Sequence, residues 1–264
     1  MKFSFLLIGL SCIHPLANAV DLSMTYGTHD LYVHEKKSHT FGADIGIVAN
    51  KMSDSGTLLN GSLTVFVANN KDKLDPDYDP IWYIADAQVT GNLYPLTSNT
   101  GLDWLARLDI KNNTVSGIEK QHKLFTGIGL HYTTPTVKLS LKTLIGYYLS
   151  EIDDDVPFIA GYSPDDLSNK TTAYSLRAES KVKLNSKMDI YARIQQWRDN
   201  NQWLENQYAL ILNHDTAPYI DKSTLTLSME HSRYNLDPYQ KIGLPPILPW
   251  GSDTLIRLYI SVVL

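Results

Sequence analysis

The sequence predicts an all-β protein: a single antiparallel barrel of about twelve strands that crosses a membrane. Three observations predict it. The chain is dominated by period-2 alternation of apolar and polar residues, the pattern of strands with two unlike faces. Its connections alternate between short and long in sequence order. No apolar run after residue 19 approaches the ~20 residues of a membrane helix, so a spanning chain must cross with strands.

The N-terminal residues read as a segment that is removed. Lys2 is the only charge among residues 1–19, an apolar run at 3–10 follows it, and Pro15 precedes the small-x-small triplet Ala17-Asn18-Ala19. That order predicts a secretory signal peptide over 1–19, with the mature domain at 20–264. Cleavage removes Cys12, the one cysteine, so the mature chain has no thiol chemistry. It also removes one of 23 basic residues, leaving 22 against 28 acidic and a net charge of −6. Nothing supplies the dense basic surface that nucleic acid requires.

Twelve alternating segments follow, at about 20–33, 42–52, 57–69, 81–94, 101–111, 121–133, 136–150, 171–184, 187–198, 202–214, 223–234 and 254–264. Most have the ~9–11 residues of a tilted membrane strand, or a little more. In the fifth, Leu102, Trp104, Ala106, Leu108 and Ile110 share one face, and Asp103, Leu105, Arg107, Asp109 and Lys111 share the other. In the seventh, Leu139, Leu141, Ile145 and Tyr147 alternate with Lys138, Ser140, Lys142 and Leu144. In the last, Ile256, Leu258, Ile260 and Val262 oppose Arg257 and Ser261. Tyr83, Trp104, Tyr132, Tyr147, Tyr174 and Tyr208 fall on the apolar faces, where rings suit a lipid–water interface.

The connections at 53–56, 134–135 and 185–186 are tight, whereas 70–80, 151–170 and 235–253 are long. A modest connection at 35–41 and a short one at 199–201 break the rhythm. With an even strand number and both termini in the periplasm, every long connection falls outside, as in bacterial barrels. An open sheet edge is not viable in lipid, so the last strand, running to Leu264, is expected to pair with the first.

On these features the chain resembles the outer-membrane β-barrels of Gram-negative bacteria. Such barrels often end in an aromatic residue; Leu264 stands there, with Val262, Ile260 and Leu258 keeping the alternation. In size and strand number it is similar to the small twelve-stranded porins that pass acidic oligosaccharides. That resemblance implies an arginine- and lysine-lined pore, and outer-membrane lipid and lipopolysaccharide as surroundings.

With the apolar face toward lipid, the polar face lines a lumen. Lys142, Arg177 and Arg193 fall near mid-height on three neighbouring strands, with Lys138 and Lys181 below them. Arg107 and Arg257 add cations elsewhere, and Asp44, Asp86 and Asp103 are expected on the opposite wall. A basic wall favours anions in a pore. The expected function is a channel for small polar or anionic solutes. The alternative is a barrel plugged by its own ion pairs, acting in structure, adhesion or recognition through its loops.

A lipid hydrolase is the third reading. His231 is expected to face outward opposite Asn206, but no outward nucleophile is evident beside it, and Ser232 falls on the wrong face. His29, His34 and His39 match no structural zinc spacing and read as exposed loop histidines. Residues 75–80 begin like a calcium loop, but a proline replaces the required glycine, so this and the acidic 153–155 read as solvated loops. Gly127 and Gly129 sit inside a strand and read as close packing. No phosphate loop, nucleophile elbow or CxxC pair appears, so no catalytic residue, cofactor or metal is assigned. A soluble β-sandwich is disfavoured by the long apolar stripes.

Overall fold

A computed structural model describes residues 20–69, 80–152, 161–244 and 251–264. The expected signal peptide, the calcium-like loop at 75–79 and the acidic 153–155 lie outside them. Twelve strands form one closed antiparallel barrel in which each strand pairs with its sequence neighbours and the last with the first. They are β1 (Asp21–Val33), β2 (Ser38–Met52), β3 (Leu58–Ala68), β4 (Ile81–Pro95), β5 (Thr100–Asn112) and β6 (Ile118–Thr133). Then come β7 (Val137–Ile152), β8 (Ser168–Lys183), β9 (Met188–Arg198), β10 (Trp203–Asp215), β11 (Ser223–Tyr234) and β12 (Ser252–Val263). Short 3-10 turns at Pro164–Leu167 and Asp237–Tyr239 are the other regular elements among the described residues.

Closure is by β1 and β12, in register from Ser23 opposite Val263 to Val33 opposite Asp253. The Leu264 N–H adds a further bond to the Leu22 carbonyl, at 2.8 Å. The two ends of the described chain, Val20 and Leu264, therefore sit at one end of the barrel, here the terminal end. The long connections β3–β4, β7–β8 and β11–β12 all emerge at the opposite, far end. One element departs from expectation. The first connection is only residues 34–37, because β2 begins at Ser38 and its His39 reaches across to Asp30 at 2.8 Å.

The exterior is an apolar girdle. Ile45, Leu63, Leu141, Ile145, Leu176 and Leu258 are exposed, as are the six aromatic residues assigned to the outer face. So large a continuous apolar surface requires lipid rather than water around it. The glycines of β6 and β7 draw these strands close. A Cβ at Gly127 would stand 2.1 Å from the Thr143 carbonyl oxygen, and one at Gly146 2.0 Å from that of Leu124.

The interior departs from a simple polar lumen. Leu105, Phe125, Leu144, Tyr148, Ala173, Trp197 and Leu204 form one buried apolar cluster inside the barrel. Leu31, Phe66, Trp82 and Leu255 form another, with the Phe66 and Trp82 rings stacked at 3.7 Å. Each large side chain so buried contributes roughly 1.5–3 kcal/mol. Inward positions thus carry both charge and packing, and much of the cross-section is filled.

Candidate functional site: the barrel interior and its capped end

Opposite charges meet inside because inward residues on one strand are spaced two apart and register brings neighbours level. Arg177 and Glu179 are such an i, i+2 pair, with Nε donating to Oε1 at 2.5 Å. Register then places Lys142 beside them, its Nζ 2.6 Å from Glu179 Oε2. Tyr191 donates to the same carboxylate at 2.7 Å. Arg107 and Asp109 repeat the i, i+2 pattern at 2.7 Å. Arg193 donates to Glu230 at 2.5 Å and to Gln207 at 2.8 Å. Arg257 donates to Asp44 at 2.6 Å across the closing strands, its guanidinium over the Phe66 and Tyr259 rings.

Of the remaining expected lumen residues, Asp86 borders this belt, sharing a cavity with Arg107 and Arg193, and the others lie toward the terminal end. Asp86 accepts a hydrogen bond from Ser62 at 2.6 Å. Asp103 contacts His131 Nδ1 at 2.7 Å, toward the terminal end. Lys181 pairs with Asp189 at 3.1 Å, and Lys138 faces Lys181 across the β7–β8 ladder. The expected basic wall opposite an acidic wall is therefore corrected. Lys142 and Arg177 share Glu179, and Arg193 pairs with Glu230, so these three cations form no uncompensated wall.

Two clusters escaped the sequence reading. Lys123 and Glu205 form a buried pair at 2.6 Å, with Gln121 and Tyr148 each donating to Glu205 at 3.0 Å. Lys123 Nζ lies 4.1 Å from the centre of a Trp197 ring. At the far end Asp253 accepts from Ser116 at 2.7 Å and from Lys111 and Tyr234 at 3.3 Å. Lys123 alternates correctly with Leu124 and was legible as inward; Asp253 had been placed in a loop.

Among the described residues, three adjoining cavities lie in the interior. A chamber of about 240 Å³, lined by Ser62, Thr64, Asp86, Ser228 and Arg257, lies toward the terminal end. A cavity of about 120 Å³ between Asp86, Arg107, Lys123, Arg193 and Glu230 follows. A neck of about 20 Å³ beside Lys111, Tyr234 and Asp253 lies toward the far end, with room for about one water. Successive cavities share Ile84 and Glu230.

Above the neck the far end is capped. Tyr162, Leu167 and Tyr239 from the β7–β8 and β11–β12 connections pack on Ile118, Ile152 and Tyr234 at the strand ends. Tyr239 is hydrogen-bonded to Ser150, and burial raises its phenol above the ordinary tyrosine value. Lys241 pairs with Asp166, whose carboxylate also accepts from the Ser163 amide and hydroxyl at 2.8 and 2.6 Å. Led by Lys241, these donors hold Asp166 down at about 2. A depressed carboxylate contributes its tether fully above its ordinary value and loses it as pH falls through the depressed one. Pepsin cleavage of these two connections is therefore expected to stay flat at about pH 4 and to rise toward about pH 2. Asp166→Asn should be cleaved equally across that range, because its amide has no charge to lose.

The histidines are corrected in part. His29 is buried inside the barrel, 3.7 Å from Asp44 and edge-on to Phe66 and Trp82, because Gly42 opposite leaves room for the ring. His39 lies on a strand, bonded to Asp30. Among the described residues no group of three or more potential metal ligands gathers. His231 faces outward as expected, but register sets it opposite Tyr208, and Asn206 bonds Gln196 instead. An outward hydroxyl does stand beside it: Thr254 Oγ1, 2.9 Å from His231 Nδ1 and 2.8 Å from His34 Nε2.

A closed twelve-stranded barrel with an apolar girdle and a charged, partly filled interior defines a membrane-spanning barrel of the outer-membrane type. Among solved structures the chain is similar to the NanC porin, with a TM-score of 0.51 and 11% identity, covering 93% of this chain and 100% of that one. It is also similar to an outer membrane channel from Pseudomonas putida F1, with a TM-score of 0.50 and 8% identity, covering 96% of this chain and 98% of that one. The outer membrane phospholipase A from Escherichia coli superposes with a TM-score of 0.47 at 11% identity, covering 95% of this chain and 93% of that one. No protein-family model and no curated protein matches the sequence. At such identities the likeness is one of fold.

Proposed function

We propose that the protein is a narrow outer-membrane channel of a Gram-negative bacterium, passing small polar or anionic solutes. In this reading residues 1–19 direct export, both termini of the mature chain are periplasmic, and the capped end faces outward toward lipopolysaccharide. The adjoining cavities from the 240 Å³ chamber to the neck carry the proposal. Arg107, Arg193 and Arg257 line the path, with Lys111 at the neck and Asp44 and Asp86 modulating the field. Lys142 and Arg177 hold the wall beside it, and Lys138, Lys181 and Asp103 sit nearer the periplasmic mouth. The NanC porin and the Pseudomonas putida channel, similar in fold, are themselves a porin and a channel by name.

Planar-bilayer recording of the refolded mature chain tests it. Small, stable conductance steps with anion preference are expected. Arg107→Gln with Arg193→Gln should lower the anion/cation permeability ratio about five-fold, since a unit charge at ~4 Å is worth ~1 kcal/mol even in a water-like medium. A folded barrel that passes no current would leave a second reading. That one is a filled barrel working through its loops, favoured by the ion-pair belt.

A further inference from the structure

The Thr254 hydroxyl is held between two imidazole nitrogens on the outer surface, at 2.8 Å from His34 Nε2 and 2.9 Å from His231 Nδ1. A hydroxyl has one proton, so it can donate to only one of them. The other nitrogen must then donate its own N–H to Oγ1. One imidazole is thereby a base in contact with the hydroxyl, and the other is a donor aimed at the same oxygen. The two rings stand 5.1 Å apart and nearly perpendicular. Tyr208 lies against His231 and Tyr32 against His34, which limits their rotation.

Position adds the substrate class. Thr254 is two residues inside the far end of β12, roughly 7 Å below the strand end at the usual rise. Immediately below it on the same outward face are Ile256 and Leu258, both exposed apolar residues of the girdle. Above, on the neighbouring strand, the outward Arg233 guanidinium rests over Trp203. The hydroxyl therefore sits where the apolar girdle gives way to polar and charged groups. In a bilayer that is the depth of the ester linkages between acyl chains and headgroups.

We propose that Thr254, His231 and His34 form a lipid-facing esterase site that acts on acyl esters of membrane lipids. His231, fixed on the strand directly opposite Thr254, takes the hydroxyl proton as Oγ1 bonds to the ester carbonyl carbon. The His34 N–H, already within 2.8 Å of Oγ1, is in reach of the developing oxyanion. The carbon–alkoxide bond then breaks, and His231 returns the proton to the departing alcohol. Water, deprotonated by His231, attacks the acyl-threonine, releasing the fatty acid and restoring the Thr254 hydroxyl. The site faces away from the lumen and does not depend on the channel being open.

The refolded full-length mature barrel in mixed micelles tests this, with phosphatidylethanolamine and a 4-nitrophenyl acyl ester as probes. Wild type is expected to release fatty acid and to react with a fluorophosphonate at Thr254. Thr254→Ala should abolish both, and Thr254→Ser should retain both because the hydroxyl remains. His231→Ala should lower kcat about 100-fold or more with KM little changed, the usual weight of a general base. A wild-type barrel, shown folded by its heat-modifiable gel migration, that releases no fatty acid and takes no more label than Thr254→Ala overturns the proposal.

Discussion

Glu205→Ala is expected to destabilise the barrel by about 3–5 kcal/mol, the cost of leaving one member of a buried ion pair uncompensated. The Glu205 side chain is fully buried and that of Lys123 is 5% exposed, so bulk water replaces the lost carboxylate only poorly. Gln121 and Tyr148 would lose their acceptor in the same step. The rings of Trp197 and Tyr148 would hold Lys123 only in part, since an aromatic face is worth ~2 kcal/mol when desolvated. Urea unfolding in detergent, followed by tryptophan fluorescence, measures the loss. The double change Lys123→Met with Glu205→Leu should recover most of it, because it removes both charges and keeps the volume. Equal stability of Glu205→Ala and wild type would mean that Lys123 reaches solvent by another route.

Single-channel conductance is expected to rise several-fold in Lys111→Ser with Asp253→Ser, on the channel reading. These residues line the 20 Å³ neck, the smallest of the three interior cavities described. Replacing both removes opposite charges together, so no unpaired ion remains to distort the wall. Two short hydroxyl side chains leave a wider, still polar opening in which Ser116 and Tyr234 keep partners of their own kind. Bilayer recording reads the result directly. An unchanged conductance would move the limiting constriction from the neck to the cap formed by Tyr162, Leu167 and Tyr239. Removing the cap's packing would then be the step that opens the path.

Much of the architecture was legible before the structure. The count of twelve strands, the outward faces of β5, β7 and β12 and the outward aromatic residues follow from local alternation, and the pairing of β12 with β1 from the need to close the sheet in lipid. A period of two shows in any short window and assigns a side chain to one of two faces without knowledge of the partner strand. The boundaries held to within four residues, with the largest shift at β2, where His39 extends pairing beyond the apolar run.

The site was less legible. Assigning Lys142, Arg177 and Arg193 to the interior required only alternation, but whether they face free solution or an acid depends on register and stagger between strands. Glu179 between Lys142 and Arg177, Glu230 beside Arg193 and Asp253 beneath Lys111 are contacts of that kind. The same holds on the outside. Thr254 and His231 are 23 residues apart, and Thr254 and His34 are 220 apart. A two-residue difference in pairing set Tyr208 rather than Asn206 opposite His231.

The sequence by itself determined a twelve-stranded barrel with a lipid-facing exterior, because each residue's face depends on its immediate neighbours along the strand. Only the tertiary structure decided how far the interior is filled, which charges neutralise one another, how the far end is capped and which hydroxyl meets which imidazole. Those are distances between residues remote in the chain, set by closure of the sheet and the register of its strands.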